Sequence, residues 1–212
     1  MDPTTSWVRR GVVLAALAAC ALLASAASAQ KPKKKAAAPP QPVSTALPEI
    51  PADSPERYLQ TNLHYDAKDP EEISSIHYLR GGMIPLCTRV TLGPLEKDEL
   101  DVTLVDGPGA GRKIRYVFSG HTPKPYEPHL DALFARTCDP GAPARLSALD
   151  AEGVKKGEAL VGMSKEGVRM ALGAPPAHAT PSLESDTWMY WSSRFNKIAV
   201  VFQEGKVAAV RN

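Results

Sequence analysis

Residues 31–55 read KPKKKAAAPPQPVSTALPEIPADSP, with seven prolines, four lysines and no aromatic residue. Such a stretch cannot bury enough apolar surface to offset the entropy lost on ordering it. Proline at this density favours extended, semi-rigid chain. The stretch therefore reads as a tether over residues 30–55. Its lysines suit anionic headgroups, although a solvated spacer is the simpler reading. The tether divides the 212-residue chain into a leader, residues 1–29, and a foldable part of about 157 residues, 56–212.

The leader has Arg9 and Arg10, an apolar run from Val12 to Ala27, and small residues after it. That is the layout of an export signal, and the run is too short and too rich in alanine and serine to read as a membrane span. Two processing routes stand open. ASA at 27–29 satisfies the small-x-small cleavage rule and makes Gln30 the first mature residue. LAAC at 17–20 looks like a lipobox and makes Cys20 a lipidation site, although the residues after Cys20 stay apolar. Either route takes the protein out of the cytoplasm, to the periplasm or the outer membrane.

Charge and cysteine content agree with that. Residues 56–212 hold 19 Lys and Arg against 20 Asp and Glu, so the mildly basic balance comes from the N-terminal end. Nothing in the foldable part supports a nucleic-acid partner. Besides Cys20, the chain has only Cys87 and Cys138. An even pair in an oxidising compartment points to a disulfide, worth about 4 kcal/mol by the chain-entropy model. Two small buried thiols are the alternative.

The foldable part reads as two pieces of α+β class. In the first, 56–141, LCTRVTL (86–92), LDVTLVD (100–106) and KIRYVFS (113–119) alternate apolar and polar residues. This predicts half-buried antiparallel strands. DGPGAGR (106–112) is a turn; no helix or Lys-Ser/Thr pair follows it, so it is no phosphate loop. PHLDALFAR (128–136) predicts a helix with Pro128 in its first turn. Small strands plus one helix predict a compact β-roll or SH3-like barrel.

In the second piece, 144–212, Ser147 and Asp150 resemble a capping box opening a helix that ends near Gly157. Ser164 caps a second helix whose stripe is Val168, Ala171 and Leu172; Gly173 and the prolines at 175 and 176 stop it. TWMYWSS, KIAVVFQ (197–203) and KVAAVR (206–211) read as strands, the last two joined by Glu204-Gly205. Two helices on one face of three antiparallel strands make a small two-layer sandwich.

That ordered set resembles the SmpA/OmlA (BamE-like) domain of Gram-negative envelope lipoproteins. The resemblance covers about 70 residues and rests on Gly162, Ser164, Leu172, Gly173, Pro175, Trp188, Tyr190, Phe202, Gly205, Lys206 and Val207. It implies a non-enzymatic accessory role in assembling or stabilising outer-membrane β-barrel machinery, through envelope or outer-membrane protein partners. Family members carry an unambiguous lipobox and a short tether, and the N-terminal β piece is extra here.

DTWMYWSSRF (186–195) concentrates both tryptophans of the foldable part. Strand alternation puts Trp188 and Tyr190 on one face and Met189 and Trp191 on the other, and the resemblance implies that the Trp-x-Tyr pair is the one under the helices. The β piece or a partner covers Met189 and Trp191. Arg194 and Phe195, in the following turn, join the interaction candidates.

No catalytic set is legible. GMSKEG (162–167) is one residue away from the Gly-x-Ser-x-Gly nucleophile elbow, and Ser164 is explained as a cap. His64, His77, His121, His129 and His178 read as surface or turn groups without metal spacing. Glu71 and Glu72, or Asp98 and Glu99, are adjacent and point apart. No catalytic, cofactor or metal residue is assigned. The alternative function is a periplasmic peptidoglycan- or ligand-binding module that uses the SH3-like piece.

Overall fold

The computed structural model describes residues 45–212, so the leader, Cys20 and most of the tether lie outside the described residues. The chain runs β1 (Glu56–Leu59), β2 (Leu63–Asp66), β3 (Glu72–Ser74), β4 (Gly81–Ile84), β5 (Arg89–Glu96), β6 (Glu99–Leu104) and β7 (Lys113–Val117). Then come α1 (Glu127–Leu133), β8 (Phe134–Ala135), α2 (Ala142–Leu146), α3 (Ala148–Lys156), α4 (Lys165–Leu172), β9 (Thr187–Trp191), β10 (Lys197–Gln203) and β11 (Lys206–Arg211). The fold is mixed α+β.

The period-two stretches form the centre of a six-stranded sheet in the order β3-β7-β6-β5-β1-β8. Leu100, Val102 and Leu104 of β6 and Ile114 and Tyr116 of β7 turn to one face and are buried, and Phe118 just beyond β7 joins them. With Leu59, Leu63, Ile73, Ile84, Val90, Leu133 and Phe134 they make one hydrophobic cluster. The pairs are antiparallel except β3–β7, which is parallel. β2 and β4 form a separate ribbon.

The second cluster lies under a three-stranded sheet of order β11-β10-β9. Val168, Ala171 and Leu172 of α4 meet Trp188, Tyr190, Val200, Phe202 and Val207. Both helix caps form as expected: the Ser147 hydroxyl accepts from the Asp150 amide, and the Ser164 hydroxyl accepts from the Gly167 amide. Gly157 ends α3 in the left-handed region, φ 69°.

The two larger sheets each have a hydrophobic cluster, and both lie inside one compact unit. A buried polar joint ties them. Asn62 donates its backbone amide to the Met170 carbonyl at 2.9 Å. Its side-chain amide donates to the carbonyls of Val154 and Ala171 at 2.7 and 3.2 Å. His64 Nε2 bonds the Ala171 carbonyl at 2.8 Å. The last carbonyls of a helix have no partner within it, and here the β1–β2 segment supplies them.

Four sequence expectations change. The tether ends before residue 55: the Leu47 amide donates to the Cys138 carbonyl and the Ile50 amide to the Arg136 carbonyl, at 2.8 and 2.9 Å. Ile50 packs with Tyr58, Cys87 and Cys138, so this short apolar stretch finds a hydrophobic partner and is ordered by it. The strand expected over 86–92 starts at Arg89, because Cys87 sits in the left-handed region, φ 64°, where a strand cannot continue. The helix expected over 128–136 stops at Leu133. Consecutive helical residues diverge by about 100°, and burying both Leu133 and Phe134 is achieved by an extended Phe134 paired with Leu59. His64 and His77 are buried rather than on the surface.

Cys87 and Cys138 stand at disulfide distance, with Cα atoms 5.5 Å apart.

Candidate functional site

β9 carries the aromatic cluster, and its alternation divides it in two. Trp188 and Tyr190 enter the core under α4. The Trp188 indole N–H donates to the Leu183 carbonyl at 3.2 Å, and the Tyr190 hydroxyl donates to the Gly173 carbonyl at 3.0 Å. Burial drives the Tyr190 hydroxyl pKa well above its ordinary value, so this group stays protonated and structural.

The other face of the sheet is different. Register places Met189 opposite Ala199, Trp191 opposite Lys197, and Val201 opposite Ala209. Met189, Trp191, Ala199, Val201 and Ala209 are all partly exposed, and none belongs to the cluster beneath the helices. The helices cover one side only. Trp191 is the best-supported of the five. Its ring lies 5.1 Å from the His178 ring, the Lys197 ammonium stands 5.3 Å from its centroid, and its carbonyl accepts from the Leu79 amide at 2.9 Å. The first piece therefore holds the edge of β9 at Tyr78 and Leu79 and leaves its face partly exposed.

Arg194 and Phe195 lie in the β9–β10 loop. Phe195 is 87% exposed, the most exposed large apolar side chain among the described residues. It borders a shallow hollow with Arg80, Lys197 and Ile198. Arg194 turns to a separate cavity of about 370 Å³, shared with Tyr65, Asp66, Asp69, Glu72 and Tyr78. Met189 and Trp191 thus share the sheet face, while Arg194 and Phe195 address two neighbouring hollows at its end.

Sequence reasoning missed the histidine arrangement. His77, 4% exposed, bonds the Tyr116 hydroxyl through Nε2 at 3.2 Å, and the same hydroxyl bonds His129 Nε2 at 2.6 Å. His77 Nδ1 has no partner. It faces Gly173, where an added Cβ would lie 2.8 Å from it, and Gly173 also needs φ 81°. Burial first, then the charges of His129 and His64, hold the His77 pKa down to about 3. Burial raises Tyr116 and lowers His129. This hydrogen-bonded row is closed at the His77 end and reaches a groove only through His129. His121 and His178, 57 positions apart in the chain, stack with ring centroids 4.4 Å apart. No spacing rule brings such a pair together; the signal lies in the tertiary fold alone.

The arrangement is that of a small mixed α+β protein with a paired cysteine bridge and a sheet covered on one side. Comparison with protein families, curated proteins and solved structures finds no match.

Proposed function

We propose that this protein is a non-enzymatic accessory factor of the cell envelope that acts by binding other proteins through the open face of β9–β10–β11 and the Phe195 loop. The observation that carries the reading is the one-sided cover of that sheet, with Phe195 projecting beside it. A fully exposed phenylalanine gains about 2 kcal/mol when a partner covers it. Aromatic, methionine and arginine side chains are the residue types that anchor protein interfaces. The paired Cys87 and Cys138 suit an oxidising compartment.

The finer reading belongs to the same proposal. Residues 144–212 are a domain of the SmpA/OmlA (BamE-like) kind, and residues 56–141 are an SH3-like β support. The partner is an envelope or outer-membrane protein, and export proceeds from the leader, with or without a lipid on Cys20. The helix-helix-strand-strand-strand order over 148–211 supports the first of these.

Phe195→Asp and Met189→Asp test the proposal. Co-purification of outer-membrane proteins with the native chain is expected, with loss in both variants at unchanged melting temperature. Recovery that survives both substitutions overturns the reading, as does retention on purified peptidoglycan with no protein captured.

A further inference from the structure

Three of the five histidines line one groove of about 410 Å³. His121 comes from the loop after β7, His129 from α1 and His178 from the proline-bearing loop after α4. His121 and His178 are exposed and stacked, their planes 28° from parallel. Rings this close repel each other when both are charged. His129 lies deeper, with Nε2 engaged by the Tyr116 hydroxyl. That bond engages His129 in the Tyr116 row, and His129 is not one of the two ligands proposed here.

We infer that His121 and His178 form a two-imidazole capture site for a borderline divalent ion, Cu²⁺, Ni²⁺ or Zn²⁺, at the mouth of this groove. Imidazole nitrogen suits these ions, whereas Mg²⁺ and Ca²⁺ need oxygen donors. Prolines 123, 125, 128, 175 and 176 supply much of the wall and no side-chain oxygen. A bound ion must lie in the plane of each ring, about 2.0–2.1 Å from the nitrogen, so both rings rotate towards one point. Both are exposed, and rotation gives up only the His121–His178 stack and the looser contact of His178 with the Trp191 ring, 5.1 Å away. Among the described residues no three His, Cys, Asp or Glu side chains are already gathered for a metal; water completes the coordination of a pair. The neighbouring charges are accounted for. The Lys124 ammonium is paired with Asp98 at 2.8 Å. Lys197, over the far ring of the row, opposes a cation and limits its affinity.

This inference does not rest on the protein-contact reading. It is tested on the full untagged chain by calorimetric titration with Cu²⁺ at pH 7.5 and by electron paramagnetic resonance of the bound ion. One equivalent with imidazole nitrogen couplings is expected. His121→Ala and His178→Ala each weaken it about tenfold or more, the double variant abolishes it, and Lys197→Ala strengthens it. Circular dichroism checks the fold of each variant. Unchanged binding in the double variant overturns the inference. So does a spectrum of the native chain without two imidazole nitrogens, and this readout stands even where a variant does not fold.

Discussion

Asp150 shows how much one side chain organises here. It is fully buried, yet every hydrogen bond it makes is local to two helix starts. Its Oδ2 accepts from the Ser147 hydroxyl at 2.7 Å, and its Oδ1 accepts from the Ser164 amide and hydroxyl at 2.8 and 3.0 Å. One carboxylate therefore links the caps of α3 and α4, where the partial positive charge of each helix end favours it. Asp150→Ala leaves those donors without a partner, and a loss of about 2–4 kcal/mol is expected in urea denaturation. Asp150→Asn, which keeps the shape and removes the charge, is expected to lose less. His77 makes the corresponding case for pH. The unfolded chain takes up a proton near pH 6.5. Folded His77 resists until about pH 3. Across that window the unfolded state binds more protons, so stability is complete above pH 6.5 and declines as the pH falls. His64 and His129, also lowered by burial, act in the same direction. Denaturation midpoints at pH 7.5, 5.5 and 4 are expected to fall in that order. His77→Asn, a residue that tolerates the φ of 53°, is expected to flatten the decline.

Among the elements, β9 was the most legible. Alternation alone separated Trp188 and Tyr190 from Met189 and Trp191, and burial follows that division. Trp188→Ala is expected to cost about 3–5 kcal/mol. Trp191→Ala, whose ring rests on His178 and Lys197 near the surface, is expected to cost far less and to act mainly on partner binding; melting and co-purification measured on the same samples separate the two effects. Helices α3 and α4 were equally legible, because a cap hydroxyl and a terminal glycine are local signals. The strands of 56–84 were not. β4 opens Gly81-Gly82-Met83, which carries no alternating pattern. It is a strand because Tyr65 of β2 lies over Gly82, where an added Cβ would come within 2.0 Å of the ring. β8 was hidden for a related reason: two residues form a strand only when β1 is beside them. Such elements are defined by their neighbours and carry little periodicity of their own.

At the level of the whole molecule, the sequence showed two sheet-bearing halves but not the joint between them, since Asn62 resembles any loop asparagine. Its long-range bonds, to Met170, Val154, Ala171 and the Leu86 amide, are visible only in three dimensions. Asn62→Leu is expected to destabilise the chain by about 2–4 kcal/mol, since several buried partners lose their bonds together. The Cys87–Cys138 bridge is expected to raise stability by about 4 kcal/mol, checked by comparing urea midpoints of the native chain and the Cys87→Ala/Cys138→Ala variant. The same bridge lies beside the point where the N-terminal segment joins the folded body. Tension applied along that segment meets the Leu47–Cys138 and Ile50–Arg136 hydrogen bonds before any sheet. Through those bonds the load reaches Arg136 and Cys138, inside the loop that the bridge closes, before it reaches β1.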